Sequence, residues 1–136
     1  MAYSISEVFG LSEVHQSRLA EHRITNTDHL VRLRLEPSRM HEVSRETGYP
    51  IAQIRRWVNL AELMGVAGIG PAHAALLHAA GVDSLGRLAQ RDPNSLAPRL
   101  VDAARLNKES PAPPSPRVLA RWILSARAME STRERI

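Results

Sequence analysis

The stretch of this 136-residue chain best suited to chemistry is Val66-Ala67-Gly68-Ile69-Gly70-Pro71. Two glycines flanking one apolar residue permit a tight turn with positive φ and leave no side chain over the backbone N–H groups. Pro71 suits the first position of a helix, where a missing N–H is no loss. The free amides at that helix start, reinforced by its dipole, make a site for an anion such as a phosphate. Ile69 is expected to plug the groove between the flanking helices, and small Ala74, four residues after the second glycine, lets them approach closely. Arg87, Arg91, Arg99, Arg105 and Lys108 are the cations expected to surround the turn with positive potential, and His73 lies on the helix that follows it. Gly68, Ile69, Gly70, His73 and these five cations are therefore the candidate nucleic-acid-binding residues.

The charge distribution agrees. Residues 1–65 carry eight arginines against eight acids, whereas residues 66–136 carry ten basic groups against six. The whole excess of +4 thus accompanies the intact glycine turn. Lys108 is the only lysine, so the basic side is almost all arginine.

Other chemistries find little support. There is no cysteine, which excludes a disulfide framework, a thiolate zinc site and a cysteine nucleophile. His15, His22 and His29 recur every seven residues, but Ile24-Thr25-Asn26-Thr27 breaks the helix between the second and third, and no pair shows ligand spacing on one helix. No metal or cofactor is expected. Nucleophile elbow, phosphate-binding P-loop, dinucleotide fingerprint and H-E-x-x-H are all absent, so catalysis is not indicated. Glu42 and Glu46 stand beside Arg39 and Arg45 and read as a solvated, salt-bridged face. Arg39 to Trp57 has the spacing of a helix-turn-helix, with Gln53, Arg55 and Arg56 able to face base edges, yet the repeat described below accounts for the same pair of helices. No apolar run approaches the roughly eighteen residues that span a bilayer, and Met1 to Gly10 lacks a basic start; a cytoplasmic protein is the expectation.

The elements that position the turn are helical throughout, since no alternating Val/Ile/Tyr-rich run suggests a strand. Ser12 caps a helix to about His22, Thr27 one to about Leu35, Pro37 begins one that stops before Gly48, and Pro50 opens another to Met64. In the last of these Ile51, Ile54, Trp57 or Val58, Ala61 and Met64 form the apolar stripe, with Gln53, Arg55, Arg56, Asn59 and Glu62 outside it. Further helices are expected from Pro71 to before Gly81, from Ser84, from Asp92-Pro93 to about Asn107, and from Arg117 to about Glu130. Lys108 to Pro116 is a proline-rich connector.

Compared with itself at a shift of 58, the chain sets Val8, Gly10, Leu11, His15, Leu19, Ile24 and Leu30 on Val66, Gly68, Ile69, His73, Leu77, Val82 and Leu88. Later the shift becomes 65, with Arg56-Trp57-Val58 on Arg121-Trp122-Ile123; the connector supplies the extra seven residues. A four-helix unit is written twice: residues 1–65, residues 66–130, and a flexible tail at 131–136. Each copy is small, so the two are expected to share one core anchored by Trp57 and Trp122.

Leu63 to Leu77 resembles the helix-hairpin-helix motif, whose usual partner is the sugar-phosphate backbone of DNA. From about Val8 to Met129 the chain is similar to an uncharacterised bacterial family of tandem helix-hairpin-helix-like domains, catalogued as a domain of unknown function. The marks are I-R-R-W-V-N-L-A-E-L-M (54–64), G-I-G (68–70), A-A-G-V (79–82) and L-A-Q-R-D-P-N-S-L (88–96). The resemblance implies an all-α fold of two helix-hairpin-helix or SAM-like repeats and brings no activity with it. The first copy departs from the pattern: Gly10-Leu11-Ser12 replaces Gly68-Ile69-Gly70, and Ser12 can cap its helix with its own hydroxyl, using amides that a phosphate would otherwise take. The expected function is non-enzymatic, sequence-independent nucleic-acid binding through the second turn, with a homodimer as one way to bring two intact turns to a duplex. The rival is a protein-interaction or assembly adaptor in which the glycine turn is only a joint and the connector presents a polyproline surface.

Overall fold

Short polar side chains start most of the helices by accepting free amides. In the computed structural model, which describes residues 2–134, Ser12 caps α1 (Glu13–Ala20) and Asn26 caps α2 (Thr27–Arg32), its Oδ1 accepting the His29 N–H at 2.9 Å. A 3₁₀ turn, Leu33–Leu35, continues α2; then come α3 (Pro37–Thr47) and α4 (Ile51–Leu63). Pro71 and Pro93 stand at the first positions of α5 (Pro71–Ala79) and α7 (Pro93–Arg105), with Ser84 capping α6 (Leu85–Ala89) between them. The last helix, α8, is Pro116–Glu134. Among the described residues there are no strands, and no helix is long and apolar enough to cross a membrane.

Several boundaries differ from those expected. The cap of α2 is Asn26; Thr27 is buried, and its Oγ1 accepts the Tyr3 N–H at 3.0 Å, tying down the start of the chain. There the sequence hid a 3₁₀ turn, Ile5–Glu7, started by Ser4. The first helix ends at Ala20 because Arg23 turns the backbone left-handed, with φ 63°. The last runs four residues past Glu130, so residues 131–134 continue the helix, while 135–136 lie outside the described residues.

The chain divides into two compact units, 1–65 and 66–136. In the first, α2 and α3 pack on α4, and α1 on α3, around Leu19, Ile24, Leu30, Leu33, Ile54 and Val58, all fully buried. Trp57 is buried as well, its ring centroid 4.9 Å from that of His15 and 5.7 Å from that of Tyr49. In the second unit α8 packs on α6 and α7, and α5 on α7, around Leu77, Val82, Leu88, Leu96, Leu100 and Leu119. Trp122 lies against His73 with centroids 5.4 Å apart.

Glu62 corrects the expected stripe of α4, for it is buried. Arg34 explains it: Nε donates to Oε2 at 2.9 Å and Nη2 to Oε1 at 2.8 Å, a two-pronged bond that neutralises the carboxylate where it loses water. The same Nη2 also reaches the Asn59 side chain. The face of α3 is organised differently from the expected intrahelical pairing, with Arg39 bound to the His22 carbonyl at 2.8 Å and to Glu36 at 3.5 Å, and Glu46 3.4 Å from His22 Nδ1.

Two stability measurements check these packing arguments. Arg34→Met strips Glu62 of its guanidinium and is expected to lower stability by about 2 kcal/mol in urea denaturation, and adding Glu62→Leu should recover most of the loss. Gly68 has φ +95°, and a Cβ there would stand 2.7 Å from Trp122 Nε1, whereas Gly10 has φ +82° but nothing within 4 Å. Gly68→Ala is therefore expected to lose roughly 2–4 kcal/mol and Gly10→Ala only about 1–2, read from thermal melts of the two variants.

Candidate functional site

Both glycine turns close the same way. Leu11 N–H donates to the Val8 carbonyl at 3.2 Å and Ile69 N–H to the Val66 carbonyl at 3.0 Å, while Leu11 and Ile69 are buried as plugs. The first bond of the following helix is also common to both, from Gln16 to Ser12 and from Ala74 to Gly70, each at 2.9 Å. Ala74 is buried in that contact, as its size suggested.

The turns then part company at the free amides. Ser12 Oγ accepts the His15 N–H at 3.4 Å, and His15 Nδ1 accepts the Ser12 N–H at 3.1 Å, a reciprocal capping box that occupies both donors. Gly70 has no side chain to repeat the first bond, and the His73 ring does not turn back to supply the second. Instead His73 Nε2 donates to the Ala112 carbonyl at 3.1 Å. Since a carbonyl only accepts, the ring carries its hydrogen on Nε2. The amides of Gly68, Gly70, Ala72 and His73 consequently meet no acceptor among the described residues.

Beside this helix start lies a recess of about 510 Å³ lined by Ala67, Gly68, His73, Pro114, Val118, Arg121, Trp122 and Ser125. None of these is acidic. Gly68 is exposed at its mouth, and Arg121, also exposed, contributes a guanidinium.

The expected residues are distributed unevenly around it. Gly68 and His73 line the recess; Ile69 is buried beneath the turn and Gly70 caps the helix. Arg87 engages Asp83 at 3.3 Å and Arg105 engages Asp102 at 3.8 Å, so each guanidinium has an acid beside it that offsets its positive potential. Arg91 is half-buried, while Arg99 and Lys108 are exposed. Arg121 and Trp122 are the residues that sequence reasoning missed. Their place on α8 gave a signal only as partners of Arg56 and Trp57 in the repeat; it did not place them at the turn, because seven extra residues intervene before α8.

No curated protein and no solved structure matches the chain significantly. One family model does, over residues 9–129, and its description is "Domain of unknown function (DUF4332)". That match takes in both glycine turns, the connector and the greater part of α8, and on it the chain belongs to the DUF4332 family.

Proposed function

We propose that the chain binds nucleic acid through its sugar-phosphate backbone, without reading sequence and without catalysis, and that the docking point is the Gly68–Gly70 turn. The observation that carries this reading is the contrast between the two helix starts: α1 is closed by Ser12 and His15, whereas α5 keeps its amides open. Open N–H donors at the positive end of a helix, with that of Gly68 just ahead of them, suit a phosphate oxygen. Arg121 beside them and the basic surplus of residues 66–136 supply the long-range attraction that polyanion binding requires.

The reading includes a tandem pair of helix-hairpin-helix-like repeats, of which one retains the binding turn. Support comes from matched features at the 58-residue shift: buried Val8, Leu11, Leu19, Ile24 and Leu30 against buried Val66, Ile69, Leu77, Val82 and Leu88, and left-handed backbone at Gly10 and Arg23 against Gly68 and Gly81. The first unit also suits the adaptor reading. Its turn is self-capped, its charge is balanced, and Phe9 and Val14 are exposed on either side of that turn.

Position 70 provides the test, because its φ of −92° and ψ of −172° are close to the −78° and 172° of Ser12 and accept an ordinary residue. Gly70→Asp caps α5 and places a negative charge where the phosphate would sit; Gly70→Ser caps it without charge. Anisotropy titrations with labelled oligonucleotides should show wild-type affinity falling steeply with salt. Gly70→Ser should bind at least about fivefold more weakly and Gly70→Asp at least about tenfold, with circular dichroism and melting temperature unchanged or improved. Salt-independent binding, no binding, or unaltered affinity in Gly70→Asp would refute the reading.

A further inference from the structure

The glycine turn has a side-chain donor beneath it. Trp122 is only 5% exposed, yet its indole lines the recess, and Nε1 faces the bare side of Gly68, 2.7 Å from where a Cβ would stand. Among the described residues no hydrogen bond engages that N–H, and although the side chain is buried the nitrogen itself keeps contact with solvent. Gly68 thus has two sets of donors beside it, the open amides of the turn and the indole N–H.

The recess itself is not shaped for an inorganic ion alone. Its volume falls within the roughly 300–1,000 Å³ of small-ligand clefts. Val118, Pro114 and Trp122 give it apolar walls, Arg121 a flat cation, and it has no carboxylate. The Pro114 wall is held in place by the bond from His73 to Ala112.

We propose that this recess takes one unpaired base of a single-stranded nucleic acid, the adjoining phosphate resting on the turn amides and the Trp122 N–H, so that the protein prefers single strands to duplexes. The inference rests on the backbone-binding reading of the same turn. Donors without acceptors select the phosphate, apolar walls accept the flat face of a base, and a guanidinium stacks on that face irrespective of base identity. A duplex presents equivalent phosphates, but each base stays stacked and paired and has to be extruded before it can enter.

The experiment compares three labelled probes of equal length with the full chain: a single-stranded oligothymidylate, its duplex with oligoadenylate, and a single strand carrying abasic sites. The oligothymidylate is expected to bind at least about fivefold more tightly than either of the others. Val118→Phe, which fills the recess, should bring the single strand down to within about twofold of the duplex while the duplex itself stays within about twofold of wild type, and Arg121→Gln should weaken every probe but the single strand most, leaving it within about twofold of the duplex. Trp122→Phe, which removes the N–H and keeps a ring, should weaken all three probes; should it fail to fold, the other two variants decide. If wild type binds the three probes equally and Gly70→Asp abolishes that binding, the base recess is refuted and backbone docking stands. Retained single-strand preference in both Val118→Phe and Arg121→Gln refutes it equally. If no probe binds, or Gly70→Asp binds like wild type, both ideas fall.

Discussion

The indole of Trp122 leaves room at position 68 for a hydrogen atom and nothing larger. That contact imposes glycine, and glycine in turn admits the left-handed backbone that reverses the chain ahead of α5. It also uncovers the indole N–H at the edge of the recess and gives His73 an aromatic surface to rest on. The other turn lacks this restriction: Gly10 faces open space, and Trp57 packs instead with His15 and Tyr49.

The two turns show how little separates a sealed helix start from an open one. Their plugs, closing bonds and first helical bonds correspond, so the difference resides in a hydroxyl at position 12 and in what one histidine ring does. His15 bends back onto its own helix start; His73 is drawn to the Ala112 carbonyl, 39 residues away. A neutral imidazole has one donor and one acceptor nitrogen, and each ring here uses the nitrogen that its neighbourhood can satisfy.

Local grammar made much of the fold legible. Pro37 and Gly48 bracket α3 as the sequence predicts, and Pro71, Ser84 and Asp92-Pro93 open their helices because the signals act within four residues of the end they mark. Asn26 and Thr27 can each cap a helix, so the sequence does not choose between them; the choice is made by the Tyr3 N–H, 24 positions before Thr27, which donates to the threonine hydroxyl. Glu62 reads as a surface acid on a helical wheel, and only Arg34 from the turn after α2 reveals why it is inside. The candidate site followed the same rule. Gly68, Gly70 and His73 could be picked from a six-residue pattern and its continuation, whereas Arg121 and the Trp122 N–H reach the turn through the packing of α8, which periodicity does not encode. Arg87 and Arg105 show the converse, their acids lying one helical turn away in plain sequence view.

The connector has a consequence of its own. Four prolines between positions 111 and 116 lock their own φ angles and restrict the residues before them ahead of any binding, and the bond from His73 ties the connector to α5. A guest entering beside it has no loop to freeze, so little conformational freedom is surrendered on arrival. Such a wall favours rapid exchange of whatever the recess takes over slow, committed closure.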